Sequence, residues 1–152
     1  MGDADYPLPD EIYDERSDAA ERRKQHPPAI WVMIAGPYRA GAPTPEEQAA
    51  NLRRLNSAAL AIHEVGYIPI IGVNMALPII EAAGGSHMDY RNVMMPLSLA
   101  LSERCDVCLR LPGLSNGADA EVRRFEELGR PVFHNLQDVL AHAARSRAPP
   151  SL

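Results

Sequence analysis

Short apolar runs alternate with longer amphipathic stretches along most of this chain. Ile30-Trp31-Val32-Met33-Ile34-Ala35 is apolar throughout and stops at Gly36-Pro37. That is the pattern of a strand buried on both faces, as in a parallel sheet. Thr44, Pro45 and Glu47 then supply an N-cap, a first helical position and a capping-box partner. Leu52, Leu55, Ala59 and Ile62 recur at spacings of three and four, so the pattern predicts an amphipathic helix from Pro45 to about Val65, stopped by Gly66. Tyr67 to Ile71 reads as a second strand, and Pro69 within it suits an edge position or a strand start.

The next region is less periodic. Asn74 to Ala83 predicts a short helix, although residues 72–88 also leave room for a further strand. Gly84 to His87 reads as a loop, and Asp89 to about Glu103 as a helix with Val93, Met94, Leu97 and Leu101 on its buried side. Cys105 to Leu111 is a third strand, followed by the loop Pro112-Gly113-Leu114 and a helix ending near Gly129. Pro131 to Phe133 is a short fourth strand, and Asn135 to about Ala144 a last amphipathic helix. Alternating strands and helices predict an α/β fold: a parallel sheet of four to five strands, with right-handed crossovers and helices on both faces. In such sheets the ligand crevice lies at the carboxyl ends of the strands. Gly36-Pro37-Tyr38 and Leu114 to Glu121 both emerge there, so the two loops are expected to build one site.

Length and composition narrow this reading. The chain has 152 residues, which favours a single domain. Residues 1–28 are rich in charge and proline and are expected to form a polar arm, either flexible or packed on a partner subunit. Residues 29–144 carry the domain and 145–152 a flexible tail. A net charge of -5 argues against nucleic acid as a partner, which wants a basic face. The longest apolar region, Tyr67 to Ile80, is broken by Pro69, Gly72, Asn74 and Pro78 and is too short to span a bilayer. With no signal-peptide pattern at the start, a cytoplasmic location is expected. The two cysteines, Cys105 and Cys108, have no second pair to complete a zinc site and read as structural thiols. The five histidines have no metal-like spacing. No metal and no cofactor are expected.

The loop Ser115-Asn116-Gly117-Ala118-Asp119-Ala120-Glu121 carries the densest candidate chemistry. A polar loop with a glycine that opens a helix offers free amides to an anion. Glu121, about one turn in, can turn its carboxylate toward whatever the loop holds. The same residues also satisfy ordinary helix-start chemistry, with Asn116 as cap and Asp119 as its partner. Tyr38 reads equally as a half-buried aromatic, Arg39 as a surface charge, Asp89 as a helix-start residue and Ser98 as a filler on a helix face.

Three features together resemble the nucleoside 2-deoxyribosyltransferase superfamily. They are Ile34-Ala35-Gly36-Pro37-Tyr38 ending the first strand, Cys105-Asp106-Val107 opening a later one, and Ser115-x-Gly117-x-x-x-Glu121. The resemblance covers about residues 30–134 and is closest to a branch of small bacterial proteins. It extends more distantly to the 2′-deoxynucleoside 5′-phosphate N-hydrolases and the CMP N-glycosidases. It implies a flavodoxin-like or Rossmann-like sheet and a homodimer or higher homo-oligomer. It also implies cleavage of an N-glycosidic bond by a glutamate nucleophile. Carried over by position, Glu121 is the nucleophile and Tyr38 holds it in place. Ser115 matches a serine that binds a 5′-phosphate, and Gly36 and Gly117 match glycines that let backbone approach the ligand. Members of the superfamily carry an aspartate on the helix before the third strand. Counting back from Asp106 brings Ser98 near that position, with Asp89 about two turns earlier; either Asp89 serves as a second acid or that acid is absent.

The expected activity is therefore cleavage or transfer of the N-glycosidic bond of a (deoxy)nucleoside or nucleoside 5′-monophosphate. The catalytic residues are Glu121, Tyr38 and Asp89, and the small-molecule substrate is bound by Gly36, Pro37, Arg39, Ser98, Ser115, Asn116 and Gly117. The alternative is a nucleotide-binding module that keeps the fold without catalysis. Base, sugar, the need for a 5′-phosphate and the choice of water or a second base as acceptor stay open.

Overall fold

A computed structural model of the protein describes residues 29–147. The expected N-terminal arm and the end of the expected tail lie outside them. The chain runs β1 (Trp31–Ala35), α1 (Pro45–Glu64), β2 (Ile68–Ile70), α2 (Gly72–Ala83), α3 (His87–Ser102), β3 (Val107–Arg110), α4 (Asn116–Glu127), β4 (Val132–Phe133) and α5 (Leu136–Arg147). The four strands form one parallel sheet in the order β2-β1-β3-β4. This is the flavodoxin-like α/β architecture. The chain is helical from Gly72 to Ala83 and turns at Gly84 and Gly85 before α3, so the possible fifth strand is absent among the described residues. The helix expected over Asn74 to Ala83 is present and starts two residues earlier, at Gly72 after Ile71, with no side-chain cap to mark that start; it contains Pro78.

Alternation along β1 divides the core. Val32 and Ile34 point to one face, where Leu55, Ala58 and Ile62 of α1 and Val139 and Ala143 of α5 cover them. Met33 and Ala35 point to the other, against Ala118 and Phe125 of α4 and both cysteines. Cys105 lies ahead of β3 rather than in it, so the two thiols share a face. Pro69 sits in the edge strand β2, as its missing amide proton demands. Asp106 ties β3 to β1 through the Trp31 amide, which donates to its carboxylate at 2.8 Å. No helix among the described residues is long and apolar enough to cross a membrane.

The strand order sets the site. From β1 the chain turns into α1 on one face; from the neighbouring β3 it turns into α4 on the other. The loops diverge and leave a crevice at the carboxyl end of the sheet. The register pairs Ala35 with Arg110, so both loops start at the same height.

Candidate active site

The loop after β1 is held from behind by α1. The Asn51 side-chain amide donates to the Tyr38 carbonyl at 2.9 Å, and that of Gln48 donates to the Ala42 carbonyl at 3.1 Å. A tight turn from Arg39 to Ala42 uses Gly41 at φ 66°. Pro37 is buried and packs on Gly113 of the loop after β3, where a β-carbon would stand 2.7 Å from the proline ring. Gly113 also has φ 119°, so that position needs glycine twice over. Pro37 thus joins the two loops and is not among the residues lining the cavity between them.

The second loop is fixed by Arg110. Its guanidinium donates to the carbonyls of Leu111 and Gly113 and to the Asp119 carboxylate, the last at 2.9 Å. Asp119 is thereby turned away from the cavity. Ser115, one residue before the expected Asn116, is the N-cap: its hydroxyl accepts from the Ala118 amide at 3.2 Å.

Between the loops lies a cavity of about 290 Å³. Its walls include Gly36, Tyr38 and Arg39 from the first loop, and Ser115, Asn116, Gly117 and Glu121 from the second. Helix α3 closes the remaining side with Tyr90, Met94, Met95 and Ser98. Gly72, at the start of α2, lets α3 approach; a β-carbon there would meet the Ser98 hydroxyl at 2.2 Å.

Glu121 is 8% exposed and is the one carboxyl group among the described residues that line this cavity. Burial pushes its pKa up to about 7, opposed by a hydrogen bond from Ser98 and by the charge of Arg110. Near neutral pH the group therefore divides between acid and carboxylate. At the same cavity Arg39 lies over the ring of Tyr90, 3.8 Å from its centroid, a cation–π contact.

Eight of the ten residues singled out in the sequence meet here, Pro37 supporting them from outside. Asp89 does not join them. It is the third residue of α3, and its carboxylate accepts from the Ser86 amide while Ser86 caps α3, a complete capping box. Ser86-x-x-Asp89 was readable as that pattern. Tyr90 was missed, although Tyr90, Met94 and Ser98 fall at intervals of four on one helix. Among the described residues no cluster of His, Cys, Asp and Glu could hold a metal ion.

No protein-family model matches the chain, and no curated protein matches it at a significant level. Among solved structures, the chain is similar to a 2-deoxyribosyltransferase from the psychrotolerant bacterium Bacillus psychrosaccharolyticus. The two share 18% identity over 72% of this chain and 90% of that one, with a TM-score of 0.54. The likeness is one of fold.

Proposed function

We propose that this protein cleaves or transfers the N-glycosidic bond of a (deoxy)nucleoside or nucleoside 5′-monophosphate, with Glu121 as the nucleophile. The observation that carries the reading is a buried carboxyl group, the one among the described lining residues, facing a cavity between two glycine-containing loops. A glycosidic carbon reacts through an oxocarbenium-like transition state, and a carboxylate beneath it stabilises that charge or bonds to it. The fold shared with a 2-deoxyribosyltransferase lends support, as does the resemblance carried by Gly36-Pro37-Tyr38 and Ser115-x-Gly117-x-x-x-Glu121.

In this reading Tyr38 and Ser98 orient Glu121. Gly36 and Gly117 admit the sugar. Arg39, the one cation among the described cavity-lining residues, together with Ser115 and Asn116, meets polar or anionic groups of the ligand. The cavity lies near the lower end of the roughly 300–1,000 Å³ usual for small-molecule pockets, which suits one nucleoside-sized ligand. The homo-oligomer belongs to the proposal too, supported by Met75 and Ile79 exposed on α2; light scattering of the purified chain tests it. The reaction is tested by incubating the protein with a panel of nucleosides and nucleotides and separating free bases by chromatography. Base release from at least one member, lost in Glu121→Ala and Glu121→Gln, is expected. Release that survives either substitution would remove Glu121 from the mechanism.

A further inference from the structure

A departing nucleobase needs a proton or a hydrogen-bond donor, yet among the described residues the cavity offers no second carboxyl group. Asp89 is engaged at the start of α3, and Ser98 is bonded to Glu121. We propose that the phenol of Tyr90 supplies that proton. The inference rests on the glycosidic reading above and adds a catalytic residue to it.

The geometry sets Tyr90 at the far end of the cavity from the nucleophile. Tyr90 and Ser98 both line the cavity from α3, eight residues apart, which separates them by about 12 Å along the helix axis. Glu121 is held at the Ser98 end. A nucleoside with its anomeric carbon over Glu121 has the length of the cavity in which to extend its base past Met94 toward Tyr90. Arg39, stacked on the ring of Tyr90, favours the phenolate as it forms. Burial outweighs that charge and raises the phenol above its ordinary value, so it stays protonated through the neutral range and remains a donor.

A Glu121 carboxylate oxygen bonds to the anomeric carbon as the carbon–nitrogen bond breaks, and the bonding pair leaves on the base nitrogen. The Tyr90 proton passes to the base, leaving a phenolate beneath Arg39. Water, or a second base, then attacks the anomeric carbon; its proton returns to Tyr90, and Glu121 departs as a carboxylate.

Tyr90→Phe keeps the ring and the Arg39 stack and removes only the hydroxyl. Two leaving groups separate the roles: the nucleobase that the wild type releases fastest, and 4-nitrophenolate on the same sugar, which departs without a proton. The substitution should lower kcat for base release by about 100-fold or more and change nitrophenolate release no more than about twofold. Equal losses with both substrates, or no loss with either, would overturn the role of Tyr90 while leaving Glu121 in place. A wild type that releases neither group would overturn the glycosidic reading itself, and Tyr90 with it.

Discussion

Gly72 and Ser98 are in such close contact that a β-carbon on Gly72 would lie 2.2 Å from the Ser98 hydroxyl and 3.0 Å from its Cβ. This contact, between the first residue of α2 and the fourth turn of α3, fixes the serine that bonds Glu121. Alanine at a helix start ordinarily costs nothing in backbone terms, so the penalty at position 72 is steric. Gly72→Ala should cost about 1–3 kcal/mol of stability, as overpacked cores do, and slow base release at neutral pH. Ser98→Ala removes the nearer clashing atom, so the double substitution should be more stable than the sum of the two singles. Denaturant midpoints over the four-member cycle measure that coupling.

Glu121 makes stability and activity pull in opposite directions. Its pKa is about 7 in the folded chain against 4.5 as the ordinary value. Below pH 4.5 the group is protonated whether the chain is folded or not. Between the two values the unfolded chain ionises while the folded one keeps its proton, so stability falls as pH rises, by about 3 kcal/mol in all. Above about 7 the loss is complete. Glu121→Gln escapes it: its melting temperature should exceed that of the wild type at pH 8 and match it near pH 4. Activity should run the other way. The wild-type kcat/KM should rise with pH to a plateau above about 7, because Glu121 in its proposed role as nucleophile must be ionised, and the glutamine variant should be inactive throughout. A variant that melts no higher at pH 8 would mean that the carboxyl is not buried as described.

Much of this was readable from spacing. The strand ending at Gly36-Pro37, the Thr44–Glu47 capping box and the arrival of Glu121 and Tyr38 at one sheet edge follow from local chemistry, which tertiary packing here reinforces. What escaped depends on contacts between distant segments or on missing local signals. The α2 helix was expected from Asn74, but its true start at Gly72 carries no side-chain cap to mark it. The cap of α4 fell on Ser115 instead of Asn116 because two adjacent residues carried the same chemistry. Tyr90 gains its meaning from Arg39, which the fold brings to it from another loop.

Arg110 acts on Glu121 through space while holding the loop. Its charge lowers the Glu121 pKa. Arg110→Met removes that charge, so the carboxylate is less favoured and the rising limb of kcat/KM should move to higher pH. The substitution also leaves the carbonyls of Leu111 and Gly113 and the Asp119 carboxylate without their donor. Asp119→Asn takes away only the more exposed half of the ion pair and should cost less than about 1 kcal/mol. A pH–rate series on both variants separates the two roles: Arg110→Met shifts the limb, whereas Asp119→Asn, which leaves the guanidinium charge in position, shifts it far less.

Cys105 and Cys108 offer an internal reporter of unfolding, because the chain contains no other cysteine. Both are buried against Met33 and Phe125, and burial pushes their thiols up to about 11 and about 12. The thiolate is the reactive form, so at pH 8 neither should react with iodoacetamide in the folded protein. Labelling should proceed only as fast as the chain opens and should accelerate together with loss of the helical signal in denaturant. Cys108 has relative exposure 0% and a neighbourhood of apolar side chains, which sets an order for its replacements. Cys108→Ala loses packing alone. Cys108→Ser buries a hydroxyl without a partner and should cost about 1–3 kcal/mol more. Rapid labelling of the native protein at pH 8 would show that this face of the sheet opens without global unfolding, and that α4, which carries Glu121 over it, is less firmly seated than its packing implies.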